Sequence, residues 1–204
     1  MAEIEISDMT AATGLADADL IPVVDVSDTS QAGSGTNKKL TGALAKVAFG
    51  RTVINAKEYG VTGDGTTDDT AAIATAVAAA SAAGRPLYFG GTHKITATMD
   101  WRLDNLVVLG DGPLKTHFRQ YTNNIPVVQL GGDHQHIEGM RFVYNTIQTT
   151  SDTLANVCEF TSAYMGKYSR LRFQDGYRGI YLPQTGATNS IFSCLFENIQ
   201  VEGF

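Results

Sequence analysis

The sequence lacks the features that mark several large classes of protein. Its 204 residues include only two cysteines, Cys158 and Cys194, which lie far apart without the Cys-x-x-Cys or Cys/His spacing of a zinc site. We therefore expect two free buried thiols, no disulfide framework, no metal and no cofactor. No apolar run reaches about 18 residues, and the acidic N-terminus has no apolar signal core, so membrane insertion and a secretory signal peptide are not expected.

A basic surface stripe is also missing. The net charge is −6, and acidic and basic residues are interspersed along the chain, which argues against nucleic acid as a partner. Proline is scarce at 5 residues, whereas glycine is abundant at 21 and 43% of residues are hydrophobic. This composition indicates a sizeable core built from many short strands and turns.

Residues 1–50 differ in character from the rest, with one aromatic residue, Phe49. Residues 20–26 are strand-like, a Ser/Gly-rich connector follows, residues 38–41 form a second strand-like piece, and residues 42–48 carry a short helical pattern. So small a segment buries too little apolar surface to be secure alone. We expect it to need a partner chain or copies of itself.

Residues 51–102 carry the most specific pattern, which reads as strand, glycine turn and helix. Gly63-Asp64-Gly65 supplies the turn, and Thr67, Asp68 and Asp69 stand where helix-capping oxygens are wanted. A helix is predicted from about Asp69 to Ala83, stopped by Gly84 and followed by strands near residues 87–89 and 93–97. Its apolar stripe has helical spacing and consists of Ile73, Ala76, Val77 and Ala80.

Residues 103–204 contain an internal repeat of two strand types. The first type has spacings of 31 and 28 residues and comprises Met140-Arg141-Phe142, Leu171-Arg172-Phe173 and Ile199-Gln200-Val201. The second has spacings of 30 and 22 residues and comprises Val128-Gln129-Leu130, Cys158-Glu159-Phe160 and Ile180-Tyr181-Leu182. Two strand types recurring together predict stacked coils, that is, a solenoid of strands. The mixed apolar residues exclude a leucine-rich repeat.

Strand alternation predicts which side chains of the first type enter the core. We expect Arg141, Arg172 and Gln200 to point outward in a row. The side chains expected to point inward are Met140, Phe142, Leu171, Phe173, Ile199 and Val201.

The pattern Asn55-Ala56-Lys57-Glu58-Tyr59-Gly60 followed by Gly63-Asp64-Gly65-Thr66-Thr67-Asp68-Asp69 resembles the opening motif of the pectate-lyase-like superfamily. The resemblance covers about residues 52–204. It implies a mainly β fold: a right-handed parallel β-helix, a solenoid with an N-terminal capping α-helix. It also implies structural roles for Gly63, Asp64, Gly65, Asp68 and Asp69.

The segment before the β-helix resembles the N-terminal attachment segment of bacteriophage tail fibres and tailspikes. The resemblance rests on the run of small residues at 6–13, on Asp19-Leu20-Ile21-Pro22-Val23-Val24 and on Lys38-Lys39-Leu40-Thr41, where a leucine departs from the usual pattern. It implies virion attachment through Leu20, Ile21, Pro22, Val23, Lys38 and Lys39.

Together the resemblances imply a homotrimeric spike in the virion tail, made in the host bacterial cytoplasm. Residues 1–50 would dock on a tail protein (adaptor, nozzle or baseplate), residues 51–102 would start the β-helix, and residues 103–204 would form its first coils. Later coils would contact host surface polysaccharide. The alternative is a polysaccharide depolymerase, hydrolase or lyase, whose active site lies mostly beyond residue 204. A secreted pectinolytic enzyme is disfavoured by the absence of a signal peptide.

No catalytic residue is assigned in this stretch. The outward carboxylates Glu159, Asp175 and Glu197 cannot be paired from sequence, and they read more simply as solvated or trimer-interface groups. His134 and His136 could share one side of a strand and hold a metal, but no third ligand is identifiable. Six tyrosines could stack on sugars or pack in the fold: Tyr121, Tyr144, Tyr164, Tyr168, Tyr177 and Tyr181.

Overall fold

A computed structural model describes residues 20–25, 36–41, 53–149, 152–182 and 191–203. The chain divides into two units, Met1–Arg51 and Thr52–Phe204, and each is described by itself. In the first unit, strands β1 (Leu20–Asp25) and β2 (Thr36–Thr41) pair antiparallel over their whole length. Strands therefore stand at both predicted positions, whereas the predicted helix over 42–48 and the small-residue run at 6–13 lie outside the described residues.

The second unit is built almost entirely from short strands. A 3-10 turn spans Ala56–Tyr59, and one helix, α1, spans Thr70–Ala83. The strands are β3 (Ile54–Asn55), β4 (Asp64–Asp68), β5 (Leu87–Phe89), β6 (Thr92–Ile95), β7 (Met99–Arg102), β8 (Val107–Gly110), β9 (His117–Gln120), β10 (Val128–Asp133), β11 (His136–Tyr144), β12 (Asn156–Tyr164), β13 (Lys167–Gln174), β14 (Arg178–Tyr181), β15 (Ile191–Phe192), β16 (Leu195–Glu197) and β17 (Gln200–Glu202).

Strand pairing in this unit is parallel and follows the sequence repeat. Met140 lies opposite Leu171, and Phe142 lies opposite Phe173, whose next partner is Val201. In the other strand type, Val128, Cys158 and Ile180 follow one another in register. The two repeats therefore stack as successive turns of one solenoid, and the predicted parallel β-helix is confirmed.

Two corners of each coil are made by residues in the left-handed backbone region. Strands β11 and β13 bend at Gly139 (φ 76°) and Arg170 (φ 51°), and Asn198 (φ 52°) separates β16 from β17. A second corner recurs at Asn105, His134, Met165 and Ser193, with φ between 54° and 58°. This conformation costs an L-residue roughly 1–2 kcal/mol. Its recurrence indicates that strand stacking, rather than residue preference, sets these corners.

The core is a stack of apolar side chains contributed by each coil. Phe118, Phe142 and Phe173 stack one above the other, with ring centroids 5.5 and 5.8 Å apart. The inward prediction is confirmed for these strands, since Met140 and Leu171 are also buried. Val201 is in parallel register with the buried Phe173 and so lies on the same side of the sheet, but it is 49% exposed, and no described strand pairs with the far side of β17. Ile199 is partly buried against the core.

Helix α1 covers the first coil. The four residues of the predicted stripe are the ones it buries, and they join the same apolar cluster as the strands. Strand β7 pairs only with β10 among the described strands, and α1 packs beside it around an apolar hollow of about 240 Å³. The helix therefore lies beside the unpaired edge of β7, where another strand could otherwise pair. No described helix is long and apolar enough to cross a membrane.

Candidate functional site

The predicted cap residue Asp69 serves the loop before the helix rather than the helix itself. It occupies the N-cap position of α1 but makes no capping hydrogen bond. Instead its carboxylate turns back and accepts hydrogen bonds from the backbone N–H groups of Thr62 (2.8 Å) and Gly63 (3.0 Å) and from Thr62 Oγ1 (2.9 Å). The side chain of His93 lies 3.0 Å away. The capping prediction is therefore wrong for Asp69, which joins the loop to β6.

Asp68 and Asp64 make the local bonds expected of cap and turn. Asp68 Oδ1 accepts from the Thr70 N–H at 3.0 Å, and its Oδ2 accepts from Thr96 Oγ1 at 2.6 Å. Asp64 Oδ1 accepts from the N–H groups of Thr66 and Thr67, both at 2.8 Å. The hydrogen bond from the Thr70 hydroxyl, followed by that from Thr96, lowers the pKa of Asp68, and the bonds from Thr66 and Thr67 lower the pKa of Asp64, so both side chains remain ionised and structural.

Gly63 and Gly65 both have positive φ, at 67° and 77°. A Cβ on Gly63 would stand 2.7 Å from the Gly90 carbonyl oxygen, so this position excludes a side chain on two grounds. The Gly-Asp-Gly loop is thus a structural element. Within the described part of the chain, no group of three potential metal-ligating side chains exists, here or elsewhere.

The Asp69–His93 pair is buried, with both side chains 1% exposed. Burial lowers the pKa of His93, against the neighbouring Asp69 carboxylate, which acts to raise it. Burial acts to raise the pKa of Asp69, but the hydrogen bonds from Thr62, His93 and Gly63 outweigh it and lower that pKa. The pair is therefore a carboxylate that accepts the Nδ1–H of a neutral imidazole, whose Nε2 has no partner.

Acidification is expected to destabilise the β-helix before most carboxyl groups titrate. The pKa of His93 is lowered in the fold, and burial followed by Arg141 also lowers that of His117, so the unfolded chain binds these protons more readily. The contribution of the neutral histidines to the free energy of unfolding is complete above about pH 6.5. Below that pH it falls by up to about 1.4 kcal/mol per pH unit for each group.

Urea unfolding at pH 7.5 and 5.5 measures this loss of stability. His93→Gln should flatten the dependence and His134→Gln, at an exposed position, should not; equal slopes in all three proteins would contradict the assignment.

A row of polar side chains crosses the outer face of the sheet formed by β7, β10, β12 and β14. Asp100, Gln129, Glu159 and Tyr181 follow one another in register, one from each coil. Gln129 Nε2 donates to Glu159 at 3.4 Å. We call this set the polar row. It places a carboxylate, an amide, a second carboxylate and a phenol along a straight line over the coils.

An arginine contacts each end of the polar row. Arg102 donates to Asp100 from Nε at 2.8 Å and from Nη2 at 2.6 Å, and this pairing lowers the pKa of Asp100. At the other end the guanidinium of Arg178 lies over the rings of Tyr181 and Tyr177, 4.7 and 5.0 Å from their centroids. The row therefore offers an ionised carboxylate at one end and an aromatic surface at the other.

The three outward carboxylates singled out from sequence do not form a site together. Glu159 lies in the polar row. Asp175 follows β13 at a left-handed position, and Glu197 lies on β16, where it pairs with Lys167 at 3.5 Å. Asp100 was missed, although Met99-Asp100-Trp101 repeats the pattern of Val128-Gln129-Leu130 one coil earlier.

The two histidines considered as a metal-binding pair lie on different elements of the fold. His134 sits at a left-handed corner after β10, whereas His136 lies on β11, 3.0 Å from Glu138. The two rings therefore do not share one strand face, and His134 lies in the turn between the two strands. Cys158 is a buried free thiol and Cys194 a partly buried one, so no disulfide joins them.

The tyrosines divide between core and surface. Tyr144 and Tyr168 are buried, and the Tyr168 hydroxyl donates to Gln135 at 3.0 Å. Tyr121 and Tyr164 are exposed, and Tyr164 stacks on Phe192. Packing therefore accounts for Tyr144 and Tyr168, Tyr177 is partly buried against the core, and Tyr181 belongs to the polar row.

Several solved structures superpose on this chain. The Agl-KA catalytic domain superposes with a TM-score of 0.57 and 18% identity, over 74% of this chain and 28% of that one. Pre-mature gene product 12 of bacteriophage phi29 superposes with a TM-score of 0.53 and 19% identity, over 71% and 21%. ORF18 of Geobacillus virus E2 gives 0.49 and 19%, over 83% and 41%. The chain thus spans about a quarter of the length of the first two.

No curated protein sequence matches the chain significantly. A family model does match, and it covers residues 53–203, nearly the whole of the β-helix unit. Its description is rhamnogalacturonase A/epimerase, pectate lyase-like. Both the parallel coils and the Gly-Asp-Gly loop fall within the matched range, and the chain therefore belongs to the pectate-lyase-like rhamnogalacturonase A/epimerase family.

Proposed function

We propose that this chain is part of a bacteriophage tail spike, in which the β-helix binds polysaccharide of the host surface and residues 1–50 attach the spike to the tail. The observation that carries the proposal is the polar row, which aligns groups able to hydrogen-bond and stack along successive coils. A linear glycan presents hydroxyl groups and apolar ring faces along its length, and both have partners in this row. The similarity in fold to pre-mature gene product 12 of bacteriophage phi29 is consistent with a phage protein.

Attachment is assigned to the strand pair of the first unit, with Leu20, Ile21, Pro22 and Val23 on β1 and Lys38 and Lys39 on β2. The register sets Pro22 opposite Lys39 and Val23 opposite Lys38, so the residues of the attachment pattern lie side by side. Three copies of the chain in one spike would bring three such pairs to the tail protein.

Attachment can be tested by reversing charge in the full protein. Particles grown with Lys38→Glu/Lys39→Glu spikes are expected to carry at least about tenfold less spike, because the change places two carboxylates in a docking contact. Lys57→Glu/Lys115→Glu makes the same charge change on the β-helix and should leave spike incorporation unaltered. Normal incorporation of the first variant would contradict docking through β2. Sedimentation mass of the purified spike tests the homotrimer separately.

The polar row also supports a second function, cleavage of the glycan. Asp100 and Glu159 lie two strands apart, which places their Cα atoms roughly 9–10 Å from each other. Inverting glycosidases hold their carboxyl groups about 6.5–9.5 Å apart, with water beside the base. Asp100, kept ionised by Arg102, would act as the base. It would take a proton from a water molecule while the oxygen of that water bonds to the anomeric carbon. Glu159 would protonate the leaving glycosidic oxygen as the old bond breaks.

Cleavage would be measured as new reducing ends from host polysaccharide. Asp100→Asn and Glu159→Gln are each expected to reduce the rate by about a thousandfold or more, because each removes one half of the acid–base pair. Glu197→Gln, which lies outside the polar row, is the control and should retain the rate of the unaltered protein. Cleavage by Glu159→Gln at the control rate would remove the enzymatic role and leave binding.

A further inference from the structure

A second row of side chains, this one basic, lies on the outer face of strands β6, β9, β11 and β13. His117, Arg141 and Arg172 follow one another in register, and Lys94 is in register with Arg119 on the adjacent column. We call these five residues the basic row. All five are partly buried. Lys94, Arg119, Arg141 and Arg172 are cationic at neutral pH, whereas burial and Arg141 lower the pKa of His117. Since the chain has a net charge of −6, this concentration of four cations is a local exception.

The centre of the basic row has no counter-ion. Among the described residues, Arg141 and Arg119 make no ion pair and no side-chain hydrogen bond, and Nε of Arg141 is buried without a partner. Nε2 of His117 is unpartnered in the same way. At the edge of the row, Arg172 pairs with Glu202, and Lys94 lies 5.1 Å from the centroid of the Tyr121 ring.

This arrangement is costly without a ligand. Neighbouring strands are about 4.8 Å apart, so cations in register repel one another across a partly desolvated surface. Burial lowers the pKa of Arg141, and Arg172 and Arg119 lower it further, against the opposing influence of Asp175 and Glu202. Nε of Arg141 is buried, but its two Nη groups are not among the buried unpartnered atoms. A guanidinium next to further cations is the setting in which an oxyanion gains most, since the anion accepts from the Nη groups and neutralises the repulsion together.

We propose that the basic row binds the anionic groups of an acidic polysaccharide, carboxylate or sulfate, with Arg141 at its centre. The site is separate from the polar row, which lies on another sheet of the coils. Its cations repeat from coil to coil, and a linear polymer with a charge on each repeat can follow them. This inference rests on the proposed function of the β-helix as a glycan-binding spike, and it specifies that the glycan is anionic.

Sulfate is the first probe, measured by the unfolding midpoint of the full protein at constant ionic strength against chloride. A ligand that binds only the folded state raises the midpoint in proportion to its occupancy. The rise is expected for the unaltered protein and for Arg85→Gln, a charge-matched control outside the row. The stabilisation grows as RT ln(1 + [L]/Kd), so in Arg141→Gln about tenfold more sulfate or more is expected to be needed for the same rise. An equal rise in all three proteins, or none in any, would overturn the site.

A structural role for Arg141 predicts a different result. If the guanidinium stabilises the fold, Arg141→Gln lowers the midpoint without sulfate. Our proposal predicts an unchanged or higher midpoint, because an unpaired charge is removed. A lowered midpoint, or a change of sedimentation mass that marks the row as an interface between copies of the chain, would each overturn the proposal.

Polymer binding completes the test. Polygalacturonate and a sulfated dextran are expected to bind the unaltered protein and Arg85→Gln, and to bind Arg141→Gln at least about tenfold more weakly. The two polymers distinguish carboxylate from sulfate, and unsubstituted dextran controls for neutral binding. If the protein binds neutral host polysaccharide but neither charged polymer, the inference about charge fails while the proposed spike function stands. If anions bind but spikes do not bind host cells, the reverse holds.

Discussion

Replacement of Asp69 by alanine is expected to lower the free energy of unfolding of the β-helix by about 3–5 kcal/mol. The carboxylate is 1% exposed and accepts from Thr62, Gly63 and His93. Its removal leaves two partly buried backbone N–H groups and one buried imidazole N–H without an acceptor, and each unmet buried donor costs about 1–3 kcal/mol. That loss is a large part of the roughly 5–15 kcal/mol that holds a typical domain together.

Asp68→Ala is the matched control, because it removes the neighbouring carboxylate from an exposed position, where it makes a local cap bond to Thr70 and an exposed bond to Thr96. Its expected cost is about 1 kcal/mol, the usual value of a cap. Urea unfolding of both variants, with a double-mutant cycle through His93→Ala, measures the difference. Similar losses in the two variants would contradict the larger contribution assigned to the buried Asp69 contacts.

The difference between Asp68 and Asp69 marks a limit of what the sequence could predict. The cluster of acidic residues before a helix correctly predicted capping, and the apolar stripe at Ile73 and Val77 correctly predicted the buried face of α1. Which carboxylate turns away from the helix depends on His93, 24 residues further along the chain. That choice is made by burial in the folded coil, so local pattern could not assign it.

The coils were predictable for a similar reason, and their corners were not. Parallel stacking keeps equivalent strands of successive coils in register. The sequence spacings of Met140, Leu171 and Ile199 therefore predicted the stacked coils directly. Arg170 and Met165 occupy left-handed corners that neither residue prefers. Their conformation is imposed by the coils on either side. Met99-Asp100-Trp101 has the pattern of Val128-Gln129-Leu130 and is in register with it, so the same repeat also predicts the position of Asp100 in the polar row.

The replacement of Gly139 by alanine tests how tightly successive coils approach one another at such a corner. Gly139 has φ 76°, and a Cβ there would lie 2.5 Å from the carbonyl oxygen of Gly110 in the preceding coil. Gly112 donates its N–H to the Gly139 carbonyl at 2.8 Å, so movement that relieves the overlap also strains a bond between coils. We expect a loss of about 2–5 kcal/mol, from left-handed strain and overpacking together.

Gly60→Ala separates these two contributions. Gly60 has φ 86°, close to that of Gly139, but a Cβ added there would meet no atom within 4 Å beyond its own chain neighbours. Strain alone should therefore cost about 1–2 kcal/mol there. The excess loss of Gly139→Ala over Gly60→Ala in chemical unfolding measures the close approach of the coils. An excess near zero would mean that the corner can open without loss, and the register of β8 against β11 would then owe its precision to the core side chains rather than to the backbone.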